Sequence, residues 1–128
     1  MPHEAGKYLW DIKDAASFAI EDLNPYTLAE FKNDRRLRAS TLQHLMVVGE
    51  ACREIRDHYP AIASQLPGLS GAIGMRNIIA HEYSEIDYEL VWKTVGAQLI
   101  ELRDEADRLY NSPESVLPLS GRQTPQLD

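Results

Sequence analysis

Apolar side chains recur at intervals of three and four along most of this chain of 128 residues, the period of helices that bury one face. From Glu4 to Leu23 the stripe is Tyr8, Leu9, Ile12, Ala15, Ala16, Ala19 and Leu23. Asn24-Pro25 ends it, because proline lacks a backbone donor and pushes its predecessor out of the helical region. Thr27, followed three residues later by Glu30, has the form of a capping box and predicts a short helical turn to about Lys32. A break near Asn33 or Asp34 then caps the longest stripe, Asp34 to Tyr59, carried by Leu37, Thr41, Leu42, Leu45, Val48, Gly49, Cys52, Ile55 and Tyr59. Met46 and Val47 widen that face beyond what one neighbour in the chain needs, so part of it is expected to bury against a second subunit.

Pro60 stops this helix, and residues 60 to 68, with Pro67-Gly68, form a connection holding at most one helical turn. The third main helix is expected from Leu69 or Ser70. Gly71 and Gly74 each cost it up to about 1 kcal/mol relative to alanine, for which close packing against a neighbouring helix is the expected compensation. Ser84 to Asp87 is a turn with Asp87 as N-cap. Leu90, Val91, Val95, Leu99, Leu102, Ala106 and Leu109 then define a fourth helix to about Tyr110. Beyond Asn111, prolines among Ser, Gly and Gln read as a disordered tail. With no repeat and no strand signal, the expected fold is all-α: an antiparallel up-and-down four-helix bundle over residues 1–110, with an additional short helix and a tail over 111–128.

Composition narrows the function. No apolar run could span a bilayer and no charged-then-apolar leader suggests export, so a cytoplasmic protein is expected. The net charge of −7 argues against a broad basic surface for nucleic acid, so any RNA contact has to be local. The one basic cluster, Lys32, Arg35, Arg36 and Arg38, reads as a solvated face. Cys52 cannot form an internal disulfide and lies on an apolar stripe, as a structural thiol would. His3, His44 and His58 do not combine with His81, a carboxylate or Cys52 at metal-ligand spacing, and no metal or other cofactor is expected. Trp10 and Trp92 read as core.

The chemistry concentrates in Arg76-Asn77-Ile78-Ile79-Ala80-His81-Glu82-Tyr83. Arginine offers a planar donor fork suited to phosphate, histidine can move a proton near neutral pH, and tyrosine carries a hydroxyl open to modification. The plain alternative is that Arg76 pairs with a carboxylate, His81 ends a helix and Tyr83 is core. Residues five apart on a continuous helix project roughly 140° from each other. Arg76 and His81 therefore share one phosphate only if the helix ends near Ala80, the arginine reaches along its stem, or two subunits meet; the following turn favours the first. Asn77, one turn before His81, is placed to orient the imidazole.

Gly49-Glu50-Ala51, Gly74 to Tyr83, and Asp87-Tyr88-Glu89-Leu90-Val91-Trp92, in that order and spacing, resemble the HepT-like members of the HEPN superfamily over about residues 7 to 110. Arginine, four residues, histidine, one residue, tyrosine is met without a gap. The resemblance implies a homodimeric, metal-independent endoribonuclease, the toxin of a toxin-antitoxin pair. His81 would be the general base, Arg76 would hold the scissile phosphate, and Asn77 would orient. It also implies a minimal nucleotidyltransferase antitoxin as partner, which silences the toxin by transferring AMP to Tyr83. Glu50 is a supporting candidate that could pair with Arg76, or alternatively with Arg53 on its own helix. The rival functional class is a non-catalytic helical module that binds nucleotide or scaffolds the nucleotidyltransferase.

Overall fold

The computed structural model describes residues 4–112. They form α1 (Glu4–Leu23), α2 (Leu28–Asn33), α3 (Arg35–His58), α4 (Pro60–Ala63), α5 (Leu69–His81), a single 3-10 turn (Tyr83–Glu85), α6 (Tyr88–Gly96) and α7 (Gln98–Tyr110), with no strand among the described residues. The all-α expectation holds. Beyond Ser112, the expected tail lies outside the described residues.

Local chemistry sets the boundaries. Thr27 and Glu30 close the capping box: Thr27 Oγ1 accepts from the Glu30 amide at 3.2 Å, and Glu30 Oε1 from the Thr27 amide at 2.8 Å, so two orphan donors are satisfied reciprocally. Asp34 Oδ1 accepts from the Leu37 amide at 3.0 Å to open α3. Asp87 Oδ1 takes the amides of Glu89 and Leu90 to open α6. Pro60 sits at the start of α4, where its missing N–H costs nothing. Gly68 precedes α5 at φ 79°, a left-handed conformation that favours glycine.

The bundle is built on α1, which packs against α3 on one side and α7 on the other, while α3 also carries α5. The helices run antiparallel: Asp22 of α1 meets His44 of α3 at 3.6 Å while Tyr8 lies by Glu50 and Ala51, and Lys13 meets Asp107 of α7 at 3.2 Å while Ile20 and Leu23 lie by Ile100. Leu9, Ile12, Ala16, Val48, Cys52, Ile55, Leu102 and Leu109 fill the space between them. Burial pushes the Cys52 thiol up to about 12, which keeps it protonated and inert, as a structural cysteine should be.

Three expectations are corrected. The fourth predicted helix is two, broken at Ala97 (φ −139°, ψ −80°). Its apolar stripe splits between partners: α7 lies along α1, whereas α6 turns to meet α2, where Trp92 packs on Phe31 at 5.6 Å between ring centroids. Gly96, a poor helix former, makes the break inexpensive. Trp10 is not core but 43% exposed, because its position falls off the Leu9 and Ile12 stripe. Gly71 and Gly74 do not pack closely either; a Cβ on either would meet nothing within 4 Å. They border a cleft of about 350 Å³ whose walls include Leu45, Val48, Met75, Ile78 and Leu90.

The close approach occurs instead at Gly49 of α3. A Cβ there would collide with Arg76 Cβ and lie 2.8 Å from the Ala72 carbonyl oxygen of α5. Gly49→Ala is therefore expected to destabilise the protein by about 1–3 kcal/mol, the usual cost of overpacking. Gly74→Ala, in open space, is expected to stabilise it by up to about 1 kcal/mol through helix propensity. Urea unfolding of the two variants checks both signs.

Candidate active site

The residues singled out in the sequence lie on α5 and its exit. The Glu82 amide donates to the Ile78 carbonyl at 2.7 Å, and Glu82 itself is non-helical (φ −134°, ψ 46°). The helix thus runs through His81 and the backbone turns after it, not before it as expected. Without that earlier turn, the angular separation of Arg76 and His81 on the helix persists. His81 is exposed on the last turn, and Tyr83 stands 60% exposed on the following 3-10 turn rather than in the core.

Arg76 is the anchored member. The Gly49 contact presses the base of its side chain against α3, where Glu50 Oε1 lies 3.3 Å from Nε. That spacing is an ion pair without hydrogen-bond alignment, and the buried Nε donates to no described residue. Nη1 donates to Asn77 Oδ1 at 3.0 Å. The Asn77 side chain is thus engaged by its neighbour Arg76, and no bond from it to the His81 ring is present among the described residues.

Glu50 serves both partners that the sequence left open. Its Oε2 accepts from Arg53 Nη2 at 2.6 Å while Oε1 faces Arg76. The Arg53 hydrogen bond holds the Glu50 carboxyl below its ordinary pKa of 4.5, burial opposing, with Coulombic help from Arg53 and Arg76. A cavity of about 410 Å³ opens beside this cluster, walled by Tyr8, Asp11, Met46, Val47, Glu50 and Arg76. Burial raises the Asp11 carboxyl. His44 and His58 are accounted for elsewhere, the first stacked on Phe18 and beside Asp22, the second beside Glu54.

On the other side of the motif, Tyr83 reaches the Tyr88 side chain, and the Arg38 guanidinium lies 5.2 Å over the Tyr88 ring. Burial first, and the Tyr83 contact second, raise the Tyr88 phenol above its ordinary value.

This cluster falls inside a family match. The model described as "Ribonuclease HepT-like" covers residues 12–109, which include Glu50, Arg76, Asn77, His81 and Tyr83. The chain belongs to the HepT-like ribonuclease family. It is 31% identical over 100 residues to "Putative RNase MJ1380" of Methanocaldococcus jannaschii, covering 78% of this chain and 91% of the relative. It is 26% identical over 102 residues to "Probable ribonuclease HepT" of Thermococcus cleftensis, covering 80% and 92%. No solved structure gives a significant match.

In this HepT-like chain the arrangement supplies a fixed cation, an exposed imidazole five residues on, and an exposed phenol two residues beyond the imidazole. The Arg53 clamp on Glu50 was one of the two pairings that the i, i+3 spacing left open in the sequence, and both pairings are present. What sequence reasoning missed was the contact of Arg38 with Tyr88, fifty positions apart and without a local signal.

Because the folded-state pKa of Glu50 is depressed, its contribution to stability is present above the unfolded value and is lost as pH falls through the lower folded value. An Arg53→Met variant is expected to raise the Glu50 pKa towards 4.5. Carboxyl NMR titration of the two proteins measures it; an unchanged Glu50 would show that Arg53 does not hold it.

Proposed function

We propose that this HepT-like chain is a metal-independent endoribonuclease, the toxin component of a type VII-like toxin-antitoxin pair, acting in the cytoplasm as a homodimer. The observation that carries this reading is Arg76: a guanidinium whose Nε faces Glu50 at 3.3 Å and whose Nη1 donates to Asn77, in a chain of a ribonuclease family. A guanidinium fork held in one orientation is suited to a phosphate oxygen.

In the proposed reaction, neutral His81 takes the proton from a ribose 2′-hydroxyl, and O2′ attacks the adjacent phosphorus. The P–O5′ bond breaks, giving a 2′,3′-cyclic phosphate on one fragment and, after proton return, a 5′-hydroxyl on the other. Arg76 offsets the charge that builds on the phosphoryl oxygens. Asn77 and Glu50 keep Arg76 in place. Exposure of His81 at a helix end leaves room for RNA.

The homodimer answers the geometry of α5. With the helix unbroken through His81, the two side chains point about 140° apart. A second copy packed on the Met46 and Val47 face, beside the cavity containing Arg76, would bring another motif across that gap. Val47, at 37% exposure, and Phe18, more exposed still and stacked on His44 of the same helix as Val47, supply apolar surface for such a contact.

Tyr83 is the proposed regulatory site. Its exposure lets a cognate minimal nucleotidyltransferase antitoxin reach the hydroxyl, which would attack the α-phosphate of ATP with release of pyrophosphate. The added AMP would place an anion two residues from His81 and repel substrate.

Purified protein with unmodified Tyr83 is expected to cleave RNA, and His81→Ala or Arg76→Ala to lower the rate at least about 10²-fold, as losing a general base or a charge-stabilising donor does. Stable, folded wild-type protein that cleaves no RNA would instead support a non-catalytic nucleotide-binding or scaffold module. Coexpression with the nucleotidyltransferase is expected to raise the intact mass by one or more AMP units, and Tyr83→Phe to abolish the increase.

A further inference from the structure

The cations at the entry of α3 differ from the other arginines among the described residues. Arg53, Arg56, Arg76, Arg103 and Arg108 each have a carboxylate oxygen within 3.3 Å. Lys32, Arg35 and Arg36 are exposed and have no carboxylate partner among the described residues. The two nearest acids are committed to backbone amides as caps, Glu30 at Thr27 and Asp34 at Leu37. In a chain of net charge −7, four cations against one carboxylate over 32–38 form a local positive surface.

That surface is joined to the motif. Arg38 donates from Nη1 to the Lys32 carbonyl at 2.6 Å, which ties α3 to the end of α2, and its guanidinium lies over Tyr88. Tyr88 in turn touches Tyr83, two residues beyond His81. The cluster therefore lies at the end of the bundle where α5 delivers His81. It is eleven residues from Gly49 along α3, about 16 Å at the rise of an α-helix, too far to share the phosphate held by Arg76.

We infer that Lys32, Arg35, Arg36 and Arg38, with the exposed Tyr83 ring linked to them through Tyr88, bind the phosphodiester backbone of single-stranded RNA flanking the scissile phosphate. Guanidinium forks suit phosphate oxygens, and an exposed phenol offers a face on which a base can stack. The inference rests on the ribonuclease reading and deepens it: cleavage is confined to Arg76 and His81, whereas much of the affinity comes from the α2–α3 corner. It also reconciles an acidic protein with an anionic substrate.

The test uses full-length protein and a fluorescently labelled single-stranded RNA oligonucleotide. Arg35→Glu/Arg36→Glu is expected to weaken binding at least tenfold, measured by anisotropy in an His81→Ala background. The slope of log affinity against log salt should fall by about 1.4, two phosphate contacts at roughly 0.7 each. Arg35→Lys/Arg36→Lys should retain most of the affinity, circular dichroism should be unchanged, and in the His81 protein the loss should fall on KM rather than kcat. Unchanged binding and salt slope in a protein that still cleaves RNA would overturn the inference while leaving the ribonuclease reading intact. Salt-sensitive binding through this patch without any cleavage would support the inference and sink that reading. Retained RNA affinity with loss of nucleotidyltransferase binding would assign the patch to a protein partner and overturn it.

Discussion

The close approach of α3 and α5 at Gly49 is the constraint on which the site depends. With no Cβ at Gly49, the α5 backbone comes near enough for the carbonyl of Ala72 and the stem of Arg76 to lie against α3. The next residue, Glu50, then meets the Arg76 guanidinium, and Arg53, one turn on, fixes the other carboxylate oxygen. A packing requirement and an electrostatic one are thereby met by neighbouring residues of one helix. Moving the helices apart by the width of a methyl group would loosen both.

This dependence is sharpened by how little else holds α5. It buries only Ile73 and Ile79, carries two glycines that pack on nothing, and borders an open cleft towards α6 and α7. A helix with few buried contacts belongs to the less stable part of a fold. Its register therefore comes from α3, which is itself fixed by α1 and by the Asp34 cap. The stable part of the bundle, α1 with α3 and α7, thus acts on function through one helix pair.

Much of this was legible in the sequence. The stripes of α1, α3 and α7, the Thr27 box, and the Asp34 and Asp87 caps were readable because helix periodicity and capping are local properties. The gap-free arginine, histidine, tyrosine spacing with its flanking blocks pointed to the family that the match over residues 12–109 establishes. What sequence did not carry was pairwise and distant. Gly71 and Gly74 looked like contact glycines and Gly49 like one position in a stripe, because only the neighbouring helix decides which glycine is crowded. The break at Ala97 was hidden since the apolar period continues across it while the partner changes from α2 to α1. Helical spacing pointed Asn77 at His81, whereas its bond to the long arm of Arg76 left no signal in the sequence.

The most direct test of the central claim is the chemistry of the cut ends. RNA of defined sequence, incubated with purified protein carrying unmodified Tyr83 in the presence of a chelator, should yield fragments with 2′,3′-cyclic phosphate and 5′-hydroxyl termini by mass spectrometry. Those ends should be absent with His81→Ala. Cleavage that requires added divalent metal and leaves 3′-hydroxyl and 5′-phosphate ends would contradict the account.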